Sequence, residues 1–180
     1  RRYPLDRIFD MAQRAALRAP DALDELQAGL KDADSGVRYW AAQGLLIRGS
    51  SAVAAAREDL RAALNDDSPT VRIIAARALG EFGNAEDLPL ALGVLRETAS
   101  PEANGAYASI LALNAVDALG DKAVSLQGML RTLPEKDPAA PGRANGYVPR
   151  LLEKIVGPKP ASAEAKPAAK PKRAKAKRAG

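Results

Sequence analysis

Residues 26–46 read LQAGLKDADSGVRYWAAQGLL, and 34 positions later residues 60–80 read LRAALNDDSPTVRIIAARALG. Leu26, Leu30, Asp32, Val37, Arg38, Ala41, Ala42 and Leu45 recur in register as Leu60, Leu64, Asp66, Val71, Arg72, Ala75, Ala76 and Leu79. Self-similarity at a fixed period marks a repeat array, in which one unit of secondary structure buries its apolar face only by stacking on the next. Residues 111–120, LALNAVDALG, match residues 71–80 at an offset of 40, so a looser third copy follows.

Each copy divides into two helices. In the second, Val53, Ala56, Leu60, Ala63 and Leu64 fall at helical spacing and predict an outer helix, which Asn65-Asp66-Asp67 ends. Ser68 suits the N-cap and Pro69 the first helical position, where its missing N–H costs nothing. Val71, Ile74, Ala75, Ala78, Leu79 and Phe82 then predict an inner helix that Gly83-Asn84 stops. The first copy follows the same plan: Leu23, Leu26 and Leu30 outside, Ser35 as cap, Val37, Trp40, Ala41 and Leu45 inside, Gly49 as stop. Ser100-Pro101 repeats the start signal, but the longer spacing and Asn104-Gly105 predict a long or interrupted helix.

The flanks read as single helices. Leu5–Leu17 is amphipathic, with Ile8, Ala12, Ala15 and Ala16 on one face, and could cap the stack. A helix is expected over 121–133, a loop over the Pro- and Gly-containing 134–146, and a final helix over Tyr147–Val156 with Val148, Leu151, Leu152 and Ile155 apolar. The opening at Arg1 rather than Met, a few residues before a helix, reads as a cut or processed point with an N-terminal part missing.

The 180 residues hold 4% aromatics, and Ala, Leu, Arg, Asp and Glu dominate, which favours helix over sheet. There is no Cys and no His, which removes thiol chemistry, disulfides, nearly all zinc sites and the usual neutral-pH proton shuttle. No apolar run approaches the roughly 18 residues of a membrane span, and no signal-peptide pattern opens the chain. The net charge of +5 is unevenly placed: residues 157–180 carry eight Lys or Arg against one acid, whereas residues 1–156 carry 19 basic against 21 acidic residues. Two parts are therefore expected, a helical repeat body over 1–156 and a disordered Lys/Ala/Pro-rich tail over 157–180.

Asp32-x-Asp34-x-x-Val37-Arg38 and Asp66-x-Ser68-x-x-Val71-Arg72 resemble the intra-repeat turn of HEAT repeats. The tetratricopeptide repeat shares the period, but its Trp, Leu-Gly, Tyr and Pro pattern does not occur here. The resemblance implies an all-α fold, a right-handed α-α superhelix of about three to four helix pairs. It also implies a structural ladder of Asp32, Arg38, Asp66 and Arg72 along the turn edge. Ala112 stands where the third Arg would be, so the ladder is expected to stop there.

Trp40 aligns with Ile74 and is expected in the core, its neighbour Tyr39 nearer the surface, and Asn114 in a helix-to-helix hydrogen bond. Asp24-Glu25, Asp66-Asp67 and Glu86-Asp87 sit at helix starts or turns, where negative charge suits the helix dipole. With no phosphate loop or zinc spacing, no catalytic, cofactor or metal residue is assigned, and no cofactor is expected. Lys170, Lys172, Arg173, Lys175, Lys177 and Arg178 are the candidate polyanion contacts, an extended polycation for nucleic acid, anionic lipid or sulfated glycan.

A wider resemblance runs over about residues 3–155. Tyr3-Pro4-Leu5, Arg7-Ile8, Val37-Arg38-Tyr39-Trp40-Ala41-Ala42, Ser68-Pro69-x-Val71-Arg72-Ile73 and Ala112-Leu113-Asn114-Ala115-Val116-Asp117 resemble the helical C-terminal region of bacterial sulfatases. It implies a non-catalytic appendage whose protein partner is an N-terminal catalytic domain of the same chain, itself a sulfuric ester hydrolase. The family's Cys/Ser-x-Pro-x-Arg signature is absent here, so no sulfatase site residue carries over. A periplasmic or secreted location goes with that resemblance, a cytoplasmic one otherwise. The first expectation is thus a scaffold or interaction module, the second a polyanion-binding protein acting through the tail. A bilin-lyase-like enzyme is a distant third.

Overall fold

The computed structural model describes residues 3–158, and its regular elements are all helical. Helix α1 (Leu5–Leu17) is followed by a 3-10 turn, Pro20–Ala22, and α2 (Leu23–Gly29). Then come α3 (Ser35–Arg48), α4 (Ser50–Ala55), α5 (Arg57–Ala63), α6 (Pro69–Phe82), α7 (Asp87–Thr98) and α8 (Pro101–Leu119). The 3-10 segment Gly120–Leu126, α9 (Gln127–Leu130), α10 (Gly142–Asn145) and α11 (Tyr147–Val156) complete the described chain.

Three outer-inner pairs form successive layers: α2 with α3, α4–α5 with α6, and α7 with α8. The inner helices pack side by side in the order α1, α3, α6, α8, and α11 closes against α8. This is an α-α solenoid. Its core is made of small side chains: Ala41, Ala42, Ala75, Ala76, Ala112 and Ala115 are buried between Leu26, Leu45, Leu60, Leu79, Leu95 and Leu113. Small residues let the helices approach. A Cβ on Gly36 would meet Ile8 of α1 at 2.9 Å, and one on Gly44 would meet Leu26 at 2.6 Å and the Ala15 backbone at 3.1 Å. Val37 and Val71, 34 residues apart, are buried at equivalent places on α3 and α6.

Several local expectations are corrected. The cap of α3 is Asp34, whose Oδ1 accepts from the amides of Gly36 at 2.8 Å and Val37 at 3.4 Å, and Ser35 is the first helical residue. Ser68 occupies the N-cap of α6, but its hydroxyl pairs with Thr70 and makes no cap bond. The outer helix of the second layer breaks at Ala56, where φ −99° and ψ 13° separate α4 from α5. The 121–133 helix is a 3-10 segment and one α turn, and the 134–146 loop contains α10. Ala16 is exposed, and the face that α1 buries is Ile8, Met11, Ala12 and Ala15. Trp40 is half-buried, with its ring edge-on to Tyr39 at 5.4 Å. Asn114 is exposed and donates to Ile110 O of its own helix at 2.8 Å, so it joins no second helix.

The interruption expected near Asn104-Gly105 occurs at Gly105, with φ 81° and ψ 154° inside α8. The amide of Ala106 thereby loses its helical acceptor and donates instead to Asp137 Oδ2 at 3.1 Å. Asp137 is held in turn by Asn145, which accepts from the Asp137 amide and donates to its carbonyl, both at 2.8 Å.

Candidate functional site

Three arrangements of side chains stand out. The first runs along the turn edge. Arg38 donates from Nε to Asp66 Oδ2 at 2.6 Å and from Nη2 to Oδ1 at 2.8 Å, a two-pronged ion pair between the second and third inner helices' layers. Its Nη1 also holds the carbonyls of Asp32 and Ala33, fixing its own turn. Asp66 Oδ1 accepts from the Ser68 amide at 2.8 Å, and Asp32 Oδ1 from the Asp34 amide at 2.7 Å, so each Asp shapes the turn it sits in. Arg7 of α1 pairs with Asp32. Arg72 donates to Asp66 O at 3.1 Å and reaches Glu97 at 3.3 Å, but its Nε is buried with no partner. No aspartate takes Asp66's place one layer on, and Ala112 is fully buried.

Burial alone would raise the Asp66 carboxyl. The Arg38 hydrogen bonds, the Ser68 amide and the charges of Arg38 and Arg72 outweigh it and hold the group below the usual carboxylate range. Asp32 is held low by the same balance, with Asp34's amide and Arg7 opposing burial. The Asp66 hydrogen bonds correspondingly raise the Arg38 guanidinium.

The second arrangement lies on the outer helices and was not singled out in the sequence beyond a helix-start carboxylate. Asp87 has no solvent exposure, yet it accepts from Arg57 Nε at 2.8 Å and Arg61 Nε at 2.5 Å, and its Oδ2 accepts from the Asn84 amide at 2.8 Å. Glu86 joins both arginines from the solvent side. Burial opposes ionisation of Asp87, but the two arginines and the Asn84 amide overcome it and keep the carboxyl low. Nothing short of knowing which outer helix follows in space could have paired Arg57 and Arg61 with a residue about 30 positions away.

The third is a groove of about 430 Å³ bordered by Tyr3, by Ser35 and Tyr39 and by Thr70 near the N-terminal ends of α3 and α6, and by Tyr107 and Asn114 in the middle of α8. Three phenols and two aliphatic hydroxyls line it, and no charged residue does. Tyr107 is 72% exposed, while Tyr39 is half-buried, and that burial raises its phenol despite nearby Arg77. Aromatic rings with polar tips on rigid helices suit recognition of a protein surface.

Among the described residues no group of three or more His, Cys, Asp and Glu side chains converges as a metal site, and no helix is long and apolar enough to cross a membrane. Lys170, Lys172, Arg173, Lys175, Lys177 and Arg178 lie outside the described residues.

No curated protein matches this chain. A family model described as HEAT repeats matches residues 49–112, the stretch from α4 into α8. The match covers about a third of the chain and, together with the repeated inner and outer helices, supports a HEAT-type helical repeat among the described residues.

Proposed function

We propose that the chain is a non-catalytic scaffold whose HEAT-type body, residues 1–156, holds a protein partner in the groove between Tyr3, Tyr39 and Tyr107. The observation that carries this is the groove itself: an uncharged, aromatic-lined recess across three successive layers, built on helices whose spacing is fixed by packed cores. Arg38, Asp66, Asp32 and Arg72 serve to set that spacing and do not contact the partner.

The resemblance to sulfatase C-terminal regions makes a neighbouring catalytic domain of the same protein our preferred partner. The test is a photo-crosslinking amino acid at Tyr107, compared with one at Leu90 on outer helix α7, in the protein expressed in its native cells. Crosslinks to one domain or protein from position 107 and none from position 90 are expected. Equal crosslinking from both, or none from 107, contradicts the reading.

The cationic run after residue 158 favours a second reading, polyanion binding by a separate tail over 157–180 through counterion release. Truncation after Val156 would then abolish salt-sensitive heparin or duplex DNA binding. No binding by the intact chain at low salt excludes it.

A further inference from the structure

The break in α8 is held from two directions. Asn104, just before Gly105, donates its side-chain amide to Glu97 O at 2.8 Å, and Ser109, just after it, donates its hydroxyl to Ala99 O at 2.6 Å. Both bonds end on the C-terminal end of α7. The other hold comes from 31 residues further on, where Asp137 Oδ2 accepts from the Ala106 amide. The first amides of a helix have no partner within it, and a carboxylate among them also suits the helix dipole. Residues 106–119 therefore start as a helix of their own, and the segment 134–146 supplies the cap. That segment is fastened for the purpose. Asn145 holds both the amide and the carbonyl of Asp137, the Ala139 amide donates to Asp137 Oδ1 at 2.8 Å, and α10 lies against α8 with Ala144 buried.

Two acceptors compete for the Ala106 amide. A continuous helix gives it Glu102 O, four residues back, whereas the structure gives it Asp137. Gly105 is free to serve either arrangement, because φ 81° is as open to glycine as helical angles are. The joint thus has two discrete forms, and the Asp137 carboxylate selects the broken one. Tyr107 sits on the first turn after the break and lines the groove. Ile110, Leu111 and Asn114 line it from further along α8, where the fully buried Ala112 and Leu113 fix the helix. Among the α8 residues of the groove, Tyr107 is therefore the one whose place depends on Asp137.

We propose that residues 134–146 form a strap that regulates the tyrosine groove. With Asp137 on the Ala106 amide, the Tyr107 ring stands on the groove's rim; with Asp137 withdrawn, α8 winds through Gly105 and the ring leaves it. Pro134, Lys136, Pro138 and Ala139 are exposed, so a partner reaches the strap without entering the groove. The regulatory use rests on the groove being the docking site, but the switch at Gly105 does not.

The 180-residue chain labelled with 3-fluorotyrosine gives one fluorine signal for each of its four tyrosines, assigned by replacing each with Phe. Asp137→Ala removes the cap, and Gly105→Ala disfavours the broken form by a separate route. Both variants are expected to move the Tyr107 signal in the same direction, while the emission of Trp40, the single tryptophan, stays that of the folded stack. A Tyr107 signal that stays in place in Asp137→Ala overturns the proposal. Trp40 emission that shifts to that of the unfolded chain in both variants also overturns it, because Asp137 then only holds the fold together. If Asp137→Ala alone unfolds, the Tyr107 signal of Gly105→Ala decides in the same terms. Movement of Tyr107 without any crosslink from position 107 in the unaltered protein would leave the switch standing and remove the groove as its purpose.

Discussion

Arg38 on α3 grips Asp66 in the turn before α6 with two parallel hydrogen bonds, of 2.6 and 2.8 Å, and both side chains are largely shielded from water. A forked guanidinium on a carboxylate fixes both distance and angle. The pair therefore sets how one layer follows the next, and Asp66 cannot turn toward Arg38 without also holding the Ser68 amide. Arg72 has the same geometry available but meets Glu97 on the surface, which leaves its Nε unsatisfied and the next seam less constrained.

Asp87 gives the chain an acid-sensitive seam. Its folded carboxyl titrates below the ordinary value, so its contribution is complete above the unfolded pKa, near about 3.9, and is lost as pH falls through that range. Asp66 acts in the same sense. Chemical denaturation from pH 6 down to pH 3 should show stability falling. Asp87→Asn should be less stable at pH 6 and show a shallower pH slope; an unchanged slope would mean that the arginines do not hold the carboxylate.

Gly105 and Gly93 should respond oppositely to alanine. At Gly105 the added Cβ has room, its nearest neighbour being Asp137 Oδ2 at 3.8 Å, but φ 81° and ψ 154° strain any L side chain. Gly105→Ala should cost about 1–3 kcal/mol. Gly93 lies on α7 with open space around its Cβ, and Gly93→Ala should stabilise by about 0.5–1 kcal/mol. Urea melts of the two variants check both signs.

Arg48→Ala should loosen α1 without unfolding the stack. The guanidinium serves carbonyls at the end of α1 and Ala19 O beyond it, where a cation also suits the helix dipole. A loss of about 1–2 kcal/mol is expected, with faster hydrogen exchange over Leu5–Leu17 and little change in α6.

The fold was legible because its period is written in residues that packing cannot do without. Val37 and Val71, Ala41 and Ala75, Leu45 and Leu79 all fall in equivalent buried places. Helix ends were less legible. Asp34 displaced Ser35 as a cap because a carboxylate two residues before the Gly36 amide accepts more strongly than a hydroxyl already inside the helix. The break at Ala56 has no sequence signal, since alanine favours helix; both pieces, α4 and α5, pack on α6. The Asp87 cluster and Arg48 were hidden for another reason: their partners lie about 30 residues away and meet only through the stacking.

The central claim is that the recurring Arg and Asp residues couple one layer to the next, and a double-mutant cycle on Arg38→Ala and Asp66→Ala measures it most directly. Each single change should cost about 3 kcal/mol. The double variant should lose less than their sum, with a coupling of about 1–3 kcal/mol at pH 7 that shrinks toward zero below pH 3. Additive losses at both pH values would contradict the account.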